Sequence, residues 1–172
     1  VFWSRNYAPF LPIARDLHDA GQRFLCHFTI TGMPTLLEPR TIDTNDAAEM
    51  VRQLADAFGA RAVVWRYDPI LLTSRTTLDW HRRNFERIAE ALAGSVCRCI
   101  FSFPTMYKKT RRNLAKLEAA EPGFRAWRVG EDFGEYRLWL ERHGVDLEGV
   151  RAISGEFTSS CFINNDLQDN QI

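Results

Sequence analysis

Hydrophobic and polar positions recur at two different periods along this chain, and each change of period marks an element. Residues 24–32 (FLCHFTITG) alternate strictly, with Phe24, Cys26, Phe28 and Ile30 on one face and Leu25, His27, Thr29 and Thr31 on the other. That two-residue period predicts a strand. Residues 61–70 begin apolar and turn polar at Arg66, Tyr67 and Asp68, where Pro69 stops the run. Here Val64, Arg66 and Asp68 share one face, and Val63, Trp65 and Tyr67 the other. Residues 1–6 (VFWSRN) predict a short strand with Ser4 and Asn6 on a common face. Residues 96–103 (VCRCIFSF) predict another, with Cys97, Cys99, Phe101 and Phe103 opposed to Arg98, Ile100 and Ser102.

Between these runs the spacing lengthens to that of a helix. Phe10, Ile13, Ala14 and Leu17 mark a helix over residues 8–20, with Pro9 in its first turn and Gly21 as its stop. A second runs over 45–58 behind a cap at Asp43 or Thr44, with Ala47, Met50, Val51, Leu54 and Phe58 as its stripe and Gly59 after it. A third runs over 78–93 behind Thr77, with Phe85, Ile88, Ala89 and Leu92 as its stripe and Gly94 after it.

Helix, glycine, strand thus recurs three times. Strict alternation of strand and helix predicts parallel strands joined by right-handed crossovers, in a (β/α) barrel or an open doubly wound sheet. In an open parallel sheet both strand faces are covered and apolar. Here one face carries Ser4 and Asn6, then His27, Thr29 and Thr31, then Arg66 and Asp68, then Arg98 and Ser102. The fold expected is therefore α/β, a partial (β/α) TIM-like barrel whose polar faces line a common hollow. An edge position served by solvent is the competing explanation of those groups.

Past residue 103 the pattern weakens. Residues 108–116 hold Lys108, Lys109, Arg111, Arg112 and Lys116 with no acid, on a helix with Leu114 and Leu117. FRAWRV from Phe124 reads as a strand, 131–143 as a helix and 150–157 as a further strand, with a poorly ordered tail over 158–172. One domain over 1–172 is expected. A start inside a strand and a polar end read as a piece of a longer protein.

Composition adds limits. Hydrophobic residues are 45% and charged residues 26% of the 172, which is ordinary for a globular domain. Acids and bases balance at 22 each, so no overall attraction to nucleic acid or anionic membrane is implied. No apolar run has the length of a membrane span, and no signal peptide is visible. Cys26, Cys97 and Cys99 sit in apolar runs and Cys161 stands apart, as expected of free thiols in a reducing cytoplasm. Glycine-rich phosphate loops, H-E-x-x-H and G-x-S-x-G are all absent. His27 lies on a polar strand face, whereas His18, His81 and His143 fall on helices and are expected at the surface.

Ligands of α/β folds bind where parallel strands end. Arg66 and Asp68 lie there, either as a structural ion pair or as ligand contacts. Arg66 is suited to a carboxylate or phosphate. Asp68 would hold Arg66 or accept from a ribose hydroxyl. Asn6, His27, Thr29, Thr31 and Ser102 are further binding candidates, and Lys108 is placed for an anionic tail. No catalytic residue is assigned.

The blocks FWSRN with PFLP, FTITG, LEP, WRYDPI and CIFSF followed by Tyr107 and Lys108 resemble an uncharacterised bacterial family, a domain of unknown function, over about residues 1–113. Complete members of that family are similar to spore photoproduct lyase and other radical S-adenosylmethionine enzymes. The resemblance implies a partial TIM-like barrel able to hold a [4Fe–4S] cluster and S-adenosylmethionine. Its cysteine cluster, C-x3-C-x2-C, does not occur in this chain, so the cluster and cofactor are implied by the family alone. Two other functions are compatible with the same residues: a nucleic-acid-binding module using the 108–116 helix, and a metal-independent barrel enzyme acting on an anionic small molecule.

Overall fold

A computed structural model describes residues 1–104 and 106–127, and the backbone of 162–164. The described elements are β1 (Phe2–Ser4), α1 (Leu11–Asp19), β2 (Cys26–Thr29), α2 (Thr44–Phe58), β3 (Val63–Tyr67), α3 (Leu78–Ala91), β4 (Arg98–Phe101), α4 (Lys108–Ala120) and β5 (Phe162–Asn164). They fall into two compact units. The first holds Val1–Asp68, Arg83–Phe101 and β5; the second holds Pro69–Arg82 and the described residues from Ser102 to Trp127.

The first unit is built on one sheet in the order β1-β2-β3-β4-β5. The first three pairings are parallel and β5 runs antiparallel to β4. Chain order and spatial order coincide, so each crossover steps in the same direction. A doubly wound sheet would reverse that direction partway. The sheet is therefore singly wound, and its first four strands are parallel as the alternation of elements predicted. The described strands do not close a barrel: β1 forms one edge and an antiparallel strand lies beyond β4. What stands is an α/β fold with four parallel strands. β5 lies within 158–172, where a tail was expected; the expected helix over 131–143 and strand over 150–157 lie outside the described residues, as do His143 and Cys161.

Aromatic side chains fasten the helices to one sheet face. Phe10, the residue before α1, packs on Phe2 with ring centroids 4.4 Å apart. Phe58, the last residue of α2, meets Phe24 at 5.2 Å. Phe85 of α3 stacks on Trp65 at 4.7 Å and meets Tyr67 edge-on at 5.3 Å. Phe28, Cys26, Val63, Trp65, Tyr67, Val51, Leu54, Ile88 and Leu92 are all buried. The stripe expected of α2 is met by Ala47, Val51 and Leu54, with Ala48 buried beside them. Asp43 caps α2, accepting from Asn45 N at 2.7 Å. Full burial of such side chains contributes roughly 1.5–3 kcal/mol each.

Register corrects the expected first strand. Ser4 pairs with Phe28 and so takes the parity of the helix-facing side, whereas Trp3 pairs with His27 on the polar side. Asn6 lies beyond the strand: its Oδ1 accepts from Ala8 N at 2.9 Å, and its backbone brackets the Ser4 hydroxyl. In a three-residue strand the choice of inward face turns on one position, and the hydrogen-bonded turn at Asn6 decides it.

In the second unit, Ile70 N donates to Ser102 O at 2.7 Å. The Thr73 and Thr76 hydroxyls are 2.8 Å apart, and Thr76 Oγ1 donates to Leu71 O at 2.7 Å. A bridge pairs Thr73 with Ala126, so the strand expected at FRAWRV reduces to that bridge among the described residues. His81 overturns its expected place at the surface. It is 3% exposed, and its Nε2–H donates to Leu71 O at 3.0 Å.

Candidate functional site

The polar sheet face is assembled by register. Trp3, His27, Val64 and Arg98 form one row across the strands, and Thr29, Arg66 and Ile100 the next. Thr31 and Asp68 follow two residues beyond their partners in chain. The carboxyl ends of β1, β2 and β3 thus gather chemistry that is distant in sequence.

Arg66 is the centre of that group. Its Nη2 donates to Asp68 Oδ2, and the two side chains are only 16% and 14% exposed. Its guanidinium carbon lies 4.0 Å from the centroid of the Trp3 ring. Its Nε is buried without a hydrogen-bond partner, which leaves one N–H of the fork available. Trp3 Nε1 donates to Thr29 Oγ1 at 2.8 Å. The indole is thereby held from its edge and from one face.

A second ion pair borders the first. Arg5 grips Glu38 through two parallel bonds of 2.8 Å, the bidentate fork that suits guanidinium and carboxylate. Thr31 Oγ1 adds a 2.5 Å bond to Glu38 Oε2. Glu38 is thereby drawn to the strand ends, and the loop that carries it borders a pocket of about 140 Å³ with Thr29, Met33 and the start of α2. A shallower cleft of about 410 Å³ is lined by Trp3, Ser4, Arg5, Thr29 and Asp68.

Behind the strand ends, Asn84 of α3 donates from Nδ2 to Thr31 O at 2.7 Å and to Tyr67 Oη at 2.9 Å. Its Oδ1 accepts from Arg87 at 2.9 Å. His27 has its proton affinity lowered, first by burial and then by Arg66 and Arg98, so it is neutral near pH 7.

Of the residues predicted from sequence, Thr29, Thr31, Arg66 and Asp68 come together here, and His27 lies one row back on the same face. Asn6 lies in the turn after β1. Ser102 and Lys108 belong to the second unit, Lys108 as the exposed first residue of α4. Trp3, Arg5, Glu38 and Asn84 were not predicted. The alternation of Trp3 with Arg5 carried a signal for those two, whereas nothing local marks Glu38 or Asn84.

A [4Fe–4S] cluster needs thiolates converging from one compact segment. Among the described residues no three His, Cys, Asp or Glu side chains are grouped to hold a metal. Cys26 and Cys99 are buried free thiols in the strands, and Cys97 is a half-buried free thiol before β4. The described residues do not fit a cluster.

Fold and cleft together define an α/β protein whose polar pockets lie at the carboxyl end of a singly wound parallel sheet. A family model, domain of unknown function DUF1848, matches residues 1–136, and the chain belongs to that family. No curated protein and no solved structure matches the chain. Among the described residues, no helix is long and apolar enough to cross a membrane.

Proposed function

We propose that this chain is the ligand-binding body of an enzyme acting on a small polar molecule, held at the carboxyl ends of β1, β2 and β3. The observation that carries this reading is Arg66, a mostly buried guanidinium with an unpartnered Nε, set among Trp3, Thr29 and Asp68 at those ends. Leaving a buried donor unmade costs about 1–3 kcal/mol, and a ligand acceptor removes that cost. The two flanking carboxylates balance Arg5 and Arg66, so the cleft suits a polar ligand with hydroxyl donors better than a bare polyanion.

The finer reading, a radical S-adenosylmethionine enzyme, is supported by the resemblance of FWSRN, FTITG and WRYDPI. The residues holding its cluster would lie outside the described ones, and no step is drawn through it. A metal-independent reaction uses the same cleft. Full-length protein, anaerobically reconstituted with iron and sulfide, separates these two: cluster absorbance with 5′-deoxyadenosine formation supports the first, and turnover without iron the second.

The cleft itself is tested by thermal shift with S-adenosylmethionine, gluconate and ribose 5-phosphate on the wild type and Arg66→Lys. A rise in midpoint that Arg66→Lys abolishes supports the proposal. No response to any probe, or one that Arg66→Lys leaves intact, overturns it.

A second reading has its own observation. Lys108, Lys109, Arg111, Arg112 and Lys116 are all exposed along α4, and Tyr107 before it is 69% exposed. A nucleic-acid surface of this kind would lose affinity steeply with salt. Salt-independent or absent binding of single-stranded DNA and RNA removes this alternative.

A further inference from the structure

We infer that Trp3 is a stacking platform for a neutral heteroaromatic ring, which makes the ligand of this cleft nucleoside-like. This inference rests on the small-molecule reading of the cleft and specifies the ligand class.

Arg66 covers one face of the indole at 4.0 Å, and Nε1 is engaged by Thr29. Trp3 is nonetheless 62% exposed. Both can hold only if the opposite face of the ring is open. Isolated surface aromatics are common and need no explanation. Trp3 differs in being fixed: the hydrogen bond sets the ring's edge and the guanidinium sets its plane. A ring held in advance loses little freedom when a second ring lies against it.

The surroundings define what that second ring would carry. Thr29 and Asp68 line the same cleft as the indole. A carboxylate has about four lone-pair sites, so Asp68 can accept from a sugar hydroxyl while it holds Arg66. The guanidinium behind the indole opposes a second positive charge in front of it. A neutral base is therefore favoured over a pyridinium ring. Base–aromatic stacking is tolerant of base identity, because every base presents a π face. Purine and pyrimidine nucleosides are thus both expected to bind, with the hydroxyls set toward Asp68.

The test uses the full chain and four probes: adenosine, uridine, 1-methylnicotinamide as a cationic ring, and ribose as a ringless control. Calorimetry gives affinities, and saturation-transfer NMR shows which ligand protons touch the protein. The expected result is saturable binding of both nucleosides, with the strongest transfer to base protons. 1-Methylnicotinamide should bind more weakly, and ribose not measurably at the same concentration. Trp3→Phe should retain affinity within a few fold, and Trp3→Leu should lose about tenfold or more. The wild-type NMR pattern remains decisive if Trp3→Leu proves unstable. Absence of nucleoside binding, unchanged affinity in a folded Trp3→Leu, or transfer confined to ribose protons overturns the platform. Should ring-free probes bind through Arg66 while nucleosides do not, the platform falls and the cleft survives. Should no probe of either kind bind, both fall.

Discussion

The Asn84 side-chain nitrogen donates at 2.7 Å to the backbone carbonyl of Thr31, joining α3 to the end of β2. The same nitrogen donates to Tyr67 Oη, and burial holds the Tyr67 phenol well above its ordinary range although the Asn84 bond works the other way. One buried amide therefore positions two strand ends at once. Gly32, directly after Thr31, takes φ +59°, and an added Cβ would sit 2.7 Å from Asn84 Oδ1. The loop can leave the strand there only because glycine tolerates that backbone and that approach.

Asn84→Ala should destabilise the fold by about 2–3 kcal/mol, since it leaves the buried Thr31 carbonyl and Tyr67 hydroxyl short of a donor. Gly32→Ala should cost about 1–3 kcal/mol through backbone strain and the clash. Urea unfolding of each variant measures these losses. A change below about 0.5 kcal/mol in Asn84→Ala would mean that solvent already serves those groups.

Arg5 and Glu38 offer a double-mutant cycle. Glu38 is only 15% exposed and bidentate, whereas the median exposed ion pair contributes under about 1 kcal/mol. We expect a coupling of about 1–2 kcal/mol between Arg5→Ala and Glu38→Gln, reduced modestly by salt. Additive single effects would show that this clasp holds nothing.

His81 supplies a pH dependence. Burial lowers its folded-state pKa to about 4, below the ordinary value near 6.5, although the bond to Leu71 O works the other way. The unfolded chain therefore takes up a proton at a higher pH than the folded chain. The resulting stability is complete above about pH 6.5, falls as pH drops toward 4, and levels off below it. The loss is of the order of 3 kcal/mol. Equilibrium unfolding across this window should show a steeper acid loss for wild type than for His81→Gln. Parallel curves would refute the assignment.

Cys26 and Cys99 should be inert. Burial pushes their thiols up to about 11 and about 12, so thiolate is scarce at pH 8. Iodoacetamide treatment of the native protein, followed by peptide mass mapping, should find both unmodified, with modification appearing in denaturant. Rapid native labelling of Cys99 would contradict its burial in β4.

Much of the first unit was legible because its signals are local. Alternation located β2 and β3, helical spacing with glycine stops located α1, α2 and α3, and their order forecast parallel strands. The pairing of Arg66 with Asp68 was also within reach, since two residues apart on one strand face are neighbours whatever the tertiary fold. His81 was misplaced because its helix pattern gave no account of the Leu71 carbonyl that folds back to it.

Side-chain periodicity thus determined the elements, their direction and the polar strand ends, since burial of an apolar stripe is a property of a few consecutive residues. Tertiary structure alone decided which partners those ends acquire. Register set Trp3 rather than Ser4 on the polar face, and chain return brought Glu38 to Arg5 and Asn84 to Thr31. Such contacts join residues dozens of positions apart, and their energy depends on distance and burial in the folded chain, which no local pattern encodes.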